Sequence, residues 1–334
     1  MRPTMHDVAR VAGVSQKTVS NVLTGYPYIR ESTRERVMAA VAELGYQVNA
    51  SARTLRTGRT GLVSLAVPDV QVAYFSEFAA SVIEAAAERG WRVLIEQTGG
   101  QRERELDVLS GSGQRLVDGV ILVPGAPGTD LSYLADAGAA PPLVVVGESG
   151  FGESAAHVAM RHYEGARLAA EHLIATGCRS LAAVGAHPHD STGSAAERLR
   201  GWRDAVQAAA LPVDDRRILP AGRWHFAEGA EAGERLVASG VDVDGVFCFN
   251  DTLALGLLRV LLAHGRKVPD DVAVVGFDDV QEGRYTTPSL TTVDPGRDEI
   301  ARTALDMLAA RLDGDESALT QAPPVRLVVR ESTR

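Results

Sequence analysis

Residues 5–23 read MHDVARVAGVSQKTVSNVL, and this stretch decides the fold of the N-terminal part of the chain. Thr4 precedes it as a candidate N-cap, and Asp7 stands at the position that completes a capping box. Gly13 is expected to end the first helix in the left-handed conformation, after which residues 15–23 are predicted to form a second helix. Two helices joined by a tight glycine turn are typical of a helix-turn-helix unit.

A third helix is predicted to complete this unit. Residues 32–35, Ser-Thr-Arg-Glu, form a sequence capping box that opens the helix, and Gly45 closes it. Its apolar stripe at helical spacing consists of Val37, Ala40, Val41 and Leu44. Residues 47–61 predict a short hinge helix and a connector. A helix of about two turns is marginal alone in water, so we expect the hinge to depend on a partner.

The charge of the chain is divided unevenly. Residues 1–60 contain nine Lys and Arg and four Asp and Glu, a net charge of +5. The whole chain contains 34 basic and 43 acidic residues, a net charge of −9, so the remainder carries −14. A basic head on an acidic body favours binding of a polyanion through the head. Charge alone leaves open the alternative of chance clustering on a solvated surface.

From residue 62 onward, short apolar strands alternate with amphipathic helices. The predicted strands span residues 62–67, 92–96, 119–123, 143–146, 181–184, 245–249 and 272–276. The predicted helices span residues 78–89, 165–176, 198–209, 227–239 and 253–262. This alternation predicts an α/β body of doubly wound parallel sheets. Because ten or more elements exceed one compact domain, we expect two lobes with a ligand cleft at the carboxyl ends of the strands.

Composition and motifs exclude several classes of protein. Hydrophobic residues make up 45% and charged residues 23%, which is ordinary for a globular protein. No run approaches the ~18 apolar residues of a membrane helix, no secretory signal opens the chain, and two cysteines are too few for a disulfide framework. We therefore expect a cytoplasmic protein without membrane contact. No nucleophile elbow, P-loop or zinc-protease motif occurs, so we expect neither an enzyme nor a cofactor or metal.

The quoted stretch, residues 5–23, resembles the headpiece of the lactose/galactose-repressor (LacI/GalR) family of bacterial transcription regulators. Residues 44–55 resemble the end of that family's third helix and its hinge. Further matches lie at residues 171–177, 198–202, 249–251, 276–279, 286–293 and 327–333, so the resemblance spans essentially the whole chain. It implies a helix-turn-helix head and hinge helix followed by a two-lobed body like that of periplasmic binding proteins.

The resemblance also implies how the chain is divided. The head is expected over residues 1–46, and the hinge helix and linker over residues 47–61. The N-terminal lobe is expected to comprise residues 62–160 and 291–320, and the C-terminal lobe residues 161–290 and 321–334.

The second helix is predicted to enter the major groove of DNA with its N-terminal end against base edges. The resemblance assigns base readout to Gln16, Lys17 and Asn21, whose donor and acceptor groups suit adenine and guanine edges. Contacts to phosphates are expected from Ser15, Thr18, Ser20 and the backbone at Thr4. The alternative for each polar residue is simple solvation of a helix surface.

The hinge is the second predicted DNA contact. In the family, the hinge helices of two subunits pair in the minor groove, and the leucine that matches Leu55 wedges a base step open. Asn49 and Ala52 flank it, and the small side chain of Ala52 allows a close approach to the groove floor. The alternative for Leu55 is a small packing contact.

An effector site is predicted in the interlobe cleft. The resemblance implies that Arg198 binds effector hydroxyls or a carboxylate and that Asp278 accepts from sugar hydroxyls or purine nitrogens. Further candidates are Tyr74, Phe75, Glu148, Thr192, Ser194, Trp224, Asn250 and Asp251. Asn250 or Asp251 alternatively caps the helix that begins near Leu253. Such a set suits a sugar or a nucleoside without naming the molecule.

The resemblance implies an effector-controlled regulator, most often a repressor, that binds a pseudo-palindromic operator as a dimer. The alternative is a solute-binding module, because periplasmic binding proteins share the two-lobed body. The basic helix-turn-helix head favours the regulator. The chain ends without the leucine heptads that some members use to form tetramers, so a homodimer is expected.

Overall fold

The computed structural model describes residues 3–23, 25–46, 58–110, 116–125, 141–147, 156–187, 193–315, 317 and 320–333. The chain divides into two compact units, Met1–Thr60 and Gly61–Arg334. The predicted hinge residues Asn49, Ala52 and Leu55 lie outside the described residues, as do Glu148 and Thr192.

The described residues of the first unit form three helices, α1 (Met5–Ala12), α2 (Gln16–Leu23) and α3 (Glu31–Leu44). The predicted capping box at the start of α1 is confirmed, since the Asp7 N–H donates to Thr4 Oγ1 at 3.4 Å and the Thr4 N–H donates to Asp7 Oδ2 at 2.9 Å. Both closing glycines have the left-handed conformation that was predicted. Their backbones satisfy the last carbonyls of α1 and α3.

The predicted capping box at residues 32–35 is wrong. The third helix begins at Glu31, and Arg30 occupies the N-cap position without a side-chain cap. Ser32 therefore lies inside the first turn, where its hydroxyl no longer precedes the free N–H groups that a cap must satisfy. The carboxylate of Glu31 stands in that turn instead, where the helix dipole favours negative charge.

The three helices share one small core. Its fully buried members come from every helix: Val8, Ala9, Ala12, Val19, Val22, Val37 and Ala40, with Tyr46 beyond the end of α3. Val41 and Leu44 of the predicted stripe pack against this core and are only partly buried. Buried residues at helical spacing leave the polar side of α2 facing outward.

Twelve strands lie in the parts of the second unit that the structure describes. They are β1 (Leu62–Val67), β2 (Arg92–Gln97), β3 (Gly119–Leu122), β4 (Leu143–Gly147), β5 (Ala156–Ala159), β6 (Leu181–Ala186), β7 (Ile218–Pro220), β8 (Gly245–Cys248), β9 (Ala273–Phe277), β10 (Thr291–Asp294), β11 (Thr320–Gln321) and β12 (Arg326–Val328). Its α-helices are α4 (Ala73–Glu88), α5 (Arg102–Ser110), α6 (His162–Ala175), α7 (Ser194–Ala208), α8 (Phe226–Ala238), α9 (Asp251–Ala263) and α10 (Arg297–Leu312).

The strands form two six-stranded sheets. The first has the order β11-β5-β4-β3-β1-β2 and is parallel throughout, and the second has the order β12-β10-β9-β8-β6-β7. In the second sheet only β12 runs antiparallel, against β10. Each sheet has its own hydrophobic core, with Phe78 and Ile121 in the first lobe and Trp202, Phe247 and Phe277 in the second. The two lobes of doubly wound sheets match the predicted architecture.

Within the described residues the chain passes between the two sheets three times, at residues 160–161, 295–296 and 322–325. One predicted boundary is misplaced. The prediction begins the returning N-terminal segment at residue 291, yet β10 pairs with β9 in the second sheet, with Thr292 opposite Gly276 and Val293 opposite Phe277. The chain crosses only after Asp294, into α10, which packs on the first sheet. The boundary was therefore placed one strand too early.

The three crossing segments are tied to one another. The Arg161 Nε–H, in the first crossing, lies 3.1 Å from the carbonyl oxygens of both Ala322 and Pro323, in the third crossing. Gly296, in the second crossing, has a φ of 78°, and a β-carbon there would lie 3.0 Å from the Pro324 carbonyl oxygen. A side chain at Gly296 is thus disfavoured both by conformation and by space.

Across the part of the chain that the structure describes, no helix combines the length and the apolar character that a membrane span requires.

Candidate functional site

A cavity of about 420 Å³ lies between the two lobes. Its walls are loops and helix starts that follow strand ends, including Asp69 after β1, Gln101 after β2, Trp224 after β7 and Asn250 after β8. The carboxyl ends of parallel strands are where such folds bind ligands, and the volume falls within the range of small-molecule sites. Seven predicted effector residues line this cavity: Tyr74, Phe75, Ser194, Arg198, Trp224, Asn250 and Asp278.

Arg198, in the first turns of α7, is the most constrained of these side chains. It is buried, its Nη1 donates to the Phe249 carbonyl oxygen, and its Nε donates to His162 Nδ1 at 3.3 Å. The guanidinium carbon lies 3.7 Å from the centre of the Phe277 ring and 5.0 Å from that of Trp224. Aromatic rings and hydrogen-bond acceptors therefore hold the guanidinium in one orientation.

Asp278 faces Arg198 at the end of β9. Its Oδ1 lies 3.8 Å from Arg198 Nη2, and both side chains are buried. Among the described residues no donor lies within hydrogen-bond distance of this carboxyl group, which leaves its oxygens available to a ligand. Burial raises the pKa of Asp278 to about 7, against the opposing effects of Arg198 and Arg297. Its φ of 118° is rare for a residue other than glycine and is typical of a functional position.

Trp224 and Asn250 form a connected pair in the cavity wall. The Trp224 indole N–H donates to the Gly185 carbonyl oxygen at 3.0 Å, so the ring is fixed and a ligand meets carbon atoms rather than the N–H. Asn250 Nδ2 donates to the Trp224 carbonyl oxygen at 3.0 Å, and Asn250 Oδ1 accepts from the Leu253 N–H at 2.8 Å. Asn250 thus caps α9, which confirms one of the two cap assignments that the sequence left open.

Asp251 does not line the cavity, and its assignment to the effector site is wrong. The side chain is fully buried, with Thr292 Oγ1 donating to Oδ1 at 2.5 Å and the Val280 N–H donating to Oδ2 at 2.9 Å. Burial, followed by the nearby charge of Asp278, raises the pKa of Asp251 well above its usual range. The carboxyl group joins the start of α9 to β10 and to the loop after β9, because the helix turns it inward while Asn250 faces the cleft.

The wall from the first lobe is aromatic. Tyr74 is buried, stacks on Phe78 with the ring planes 3° apart, and meets Phe75 edge-on. Its hydroxyl donates to Met160 Sδ at 3.6 Å, and burial raises its pKa. Tyr74 therefore contributes mainly packing, whereas Phe75 is only partly buried and presents more of its ring to the cavity.

Several cavity residues were missed from the sequence. They are Asp69, Gln101, Met160, His162, His187, Arg223 and His225. His225 Nε2 lies 3.6 Å from Asp69 Oδ2, so a side chain of the second lobe meets one of the first across the cleft. No motif marks these residues, because each lies in a loop or at a helix start far from its partner in sequence.

In the head, the predicted base-reading residues Gln16 and Lys17 begin α2, and Asn21 lies more than one turn further along the same helix. Gln16 and Lys17 are exposed, whereas Ser20 and Asn21 are half-buried. The Ser15 hydroxyl accepts from the Thr18 N–H at 3.1 Å and lies 2.9 Å from Thr18 Oγ1, so it caps α2. The Thr4 N–H, predicted to contact phosphate, already donates to Asp7.

Each of the two units matches a model of a known protein family. The model of the lacI family of bacterial regulatory proteins matches residues 4–49, and that of a periplasmic binding protein-like domain matches residues 170–333. The regulator CelR of Thermobifida fusca is 36% identical over 98% of this chain and 96% of its own length. The repressor PurR of Vibrio parahaemolyticus is 32% identical over 94% of this chain and 93% of its own.

Solved structures agree with these matches. A lac repressor dimer bound to operator and the anti-inducer ONPF superposes with a TM-score of 0.85 at 27% identity, covering 100% of this chain and 99% of that one. A complex of CelR with cellobiose superposes with a TM-score of 0.72 at 32% identity, covering 99% and 100%. The helix-turn-helix head and the two-lobed body are thus shared over the full length. The chain belongs to the lacI family of bacterial regulatory proteins and is an effector-responsive, DNA-binding regulator of transcription.

Proposed function

We propose that the chain is a repressor that binds a pseudo-palindromic operator as a homodimer and is controlled by a sugar in the interlobe cleft. The observation that carries the effector site is the buried pair of Arg198 and Asp278, 3.8 Å apart beside the Trp224 ring. A fixed donor and a free acceptor at one end of a cavity suit neighbouring hydroxyl groups, while the aromatic wall suits the C–H face of a sugar ring.

The CelR complex supports this ligand class, because that relative holds cellobiose on the same fold.

A second candidate for the effector is a nucleoside. The Trp224 ring offers a stacking surface for a base, and the Asp278 carboxylate can accept from ring N–H groups. In either case Tyr74, Phe75, Ser194 and Asn250 complete the site that Arg198 and Asp278 anchor, and Glu148 and Thr192 remain candidates by resemblance.

For the operator, Gln16, Lys17 and Asn21 are proposed to read base edges, with Ser15, Thr18 and Ser20 against phosphates. The exposure of Gln16 and Lys17 at the beginning of α2 supports this assignment, because that end of a recognition helix enters the major groove. The hinge residues Asn49, Ala52 and Leu55 are proposed to bind the minor groove. We also propose a cytoplasmic location, because a bacterial operator lies in the cytoplasm. No catalysis and no cofactor are required by this mechanism.

The deciding experiment selects genomic fragments with the purified full-length chain and then titrates the selected operator at increasing salt. Affinity is expected to fall steeply with salt, because contacts to phosphate release counterions. Lys17→Ala is expected to weaken operator binding, with Glu43→Gln, a surface change in α3, as the matched control. Failure to retain any genomic fragment, with or without candidate effectors, overturns the proposal.

The ligand class is tested on the complex of the full-length chain with its selected operator. Cellobiose and adenosine are added separately, and the operator affinity and the thermal stability are measured for the wild type and for Arg198→Met. A response to cellobiose that Arg198→Met abolishes supports the sugar, and the same response to adenosine alone supports the nucleoside. No response to either contradicts both ligand classes while leaving the DNA-binding result standing.

A further inference from the structure

His162, the first residue of α6, lies in the effector cavity, where it supports Arg198 but has been given no contact with a ligand so far. It is 6% exposed and lines the cavity beside Arg198. Its Nδ1 lies 3.3 Å from Arg198 Nε and 3.2 Å from Arg198 Nη2. A guanidinium has only donors, so Nδ1 must accept through its lone pair and cannot carry a proton. A neutral ring in this position carries its single proton on Nε2.

The surroundings keep the ring neutral. Burial, the guanidinium of Arg198 from α7 and the imidazole of His157 from β5 all lower the pKa of His162 well below its usual range. The carboxyl group of Asp278 lies 3.8 Å from Nη2 of the same guanidinium. The imidazole packs at a tilt against Phe277, with 6.1 Å between the ring centres. The tautomer is therefore fixed by hydrogen bonding and the charge state by desolvation.

The remaining ring nitrogen faces an opening. Within the described part of the chain, Nε2 of His162 has no acceptor at hydrogen-bond distance. The atom is not fully enclosed by protein, so it retains some exposed surface. Because the residue lines the cavity, this N–H opens toward the space that a ligand would fill. A nearly buried donor without a protein acceptor gains a hydrogen bond when the ligand supplies one.

We propose that His162 is a specificity residue that presents a fixed Nε2–H donor to an acceptor oxygen of the effector. This inference rests on the proposed effector site and adds a rule for what the cleft accepts. A hydroxyl, ring oxygen or carbonyl oxygen at this position satisfies the donor. An amine or ring N–H at the same position leaves two donors facing each other, which a buried site disfavours.

Two substitutions of His162 test the acceptor function of Nδ1 and the donor function of Nε2 separately. In His162→Asn the amide oxygen stands near the position of Nδ1, so it keeps an acceptor for Arg198 and loses the donor in the cavity. In His162→Gln the longer side chain places an amide N–H near the position of Nε2 and restores the donor. Glu171→Gln, on the exposed side of the same helix, is the matched control.

Cellobiose is the first probe, with adenosine titrated in parallel on the full-length chain. For the probe that binds the wild type, we expect His162→Asn to lower affinity about tenfold, as for loss of one hydrogen bond, and His162→Gln to recover most of the loss. Equal affinities for the wild type and His162→Asn overturn the proposal. So does equal loss in both variants with unchanged thermal stability, since the restored donor then has no effect.

The tautomer is tested without any ligand. Long-range ¹H–¹⁵N correlation spectra of the wild type, labelled at histidine, distinguish an Nε2–H ring from an Nδ1–H ring or a protonated one. We expect the Nε2–H form from pH 8 down to pH 5. An Nδ1–H or protonated ring overturns the assignment. If neither cellobiose nor adenosine binds the wild type, the proposed ligand classes fail, and these spectra alone decide the His162 assignment.

Discussion

Nη2 of Arg198 lies 3.8 Å from Oδ1 of Asp278, and both side chains are buried at the base of the interlobe cavity. The separation exceeds a hydrogen bond, so the guanidinium stabilises the carboxylate by charge without using its lone pairs. Other groups hold the arginine, and the acid remains free to exchange a proton and to receive a ligand. The pH dependence of stability and the cost of removing the Arg198 side chain follow from this arrangement.

The first prediction concerns the pH dependence of stability. The pKa of Asp278 is raised from 3.8 to about 7, so between these values the folded chain holds a proton that the unfolded chain releases. The contribution of Asp278 to the free energy of unfolding is therefore greatest below about pH 4 and decreases as the pH rises to about 7. In thermal unfolding measured from pH 4 to 8, the stability of Asp278→Asn is expected to decrease less with rising pH than the stability of the wild type.

Asp215→Asn is the control, because that carboxylate is exposed. Identical pH profiles for the wild type and Asp278→Asn would contradict the raised pKa. A ligand that donates hydrogen bonds to the carboxylate requires its charged form, so the affinity of the wild type for such an effector is expected to increase as the pH rises through 7.

The second prediction concerns the support of Arg198. Arg198→Met removes the donors to the Phe249 carbonyl oxygen and to His162 Nδ1 and leaves both buried acceptors unpaired. We expect a loss of about 3 kcal/mol in the free energy of unfolding, measured by denaturant titration. Arg200→Met, a surface residue of the same helix, is expected to cost about 0.5 kcal/mol or less. A similar loss in both variants would show that burial of the Arg198 donors is not the cause.

The third prediction concerns the crossing segments. Arg161→Gln removes the link between the first crossing and the Ala322 and Pro323 carbonyl oxygens. Because these segments connect the lobes, we expect the coupling between effector and operator binding to change by about 0.5–2 kcal/mol, with effector affinity of the DNA-free protein nearly unchanged. Operator titrations with and without effector measure this coupling. Arg167→Gln, in a surface ion pair of α6, should leave it unaltered.

The fourth prediction concerns the start of the head. Thr4→Val removes the hydroxyl that caps α1 and is expected to destabilise the head by about 1 kcal/mol. Hydrogen exchange of the amides of residues 5–12 in the full-length chain should become faster, while exchange in the body stays the same. Thr33→Val, inside α3, serves as the comparison. Unchanged exchange in α1 would mean that the capping box carries little of the stability of the head.

The sequence predicted the head more accurately than the body because the signals in the head are local. Thr4, Asp7 and Gly13 act within one turn of the atoms they satisfy, so their spacing is sufficient evidence. The same local logic failed at Ser32, since a plausible cap two residues too late cannot be distinguished from the sequence. Seven parallel strands were also predicted, because short apolar runs between helices are distinctive.

The missed strand β10 shows the limit of apolar periodicity. Thr291 and Thr292 are fully buried, yet their hydroxyls bond to the Arg330 carbonyl oxygen and to Asp251. A polar sequence becomes a core strand here because partners about 40 residues away satisfy it, and no local pattern indicates such partners. The same holds for His162, whose role depends on an arginine 36 positions later. The predicted position of Asp251 failed because neighbouring residues at a helix start face opposite ways.

The path of the chain through the two sheets constrains biosynthesis. The edge strand β11, at residues 320–321, pairs with β5, and β12 follows it to pair with β10. Neither sheet is therefore complete until residues 320–328 have left the ribosome, whereas the three described helices of the head lie within the first 46 residues. The helix-turn-helix part is thus available for folding long before the body that contains the interlobe cavity.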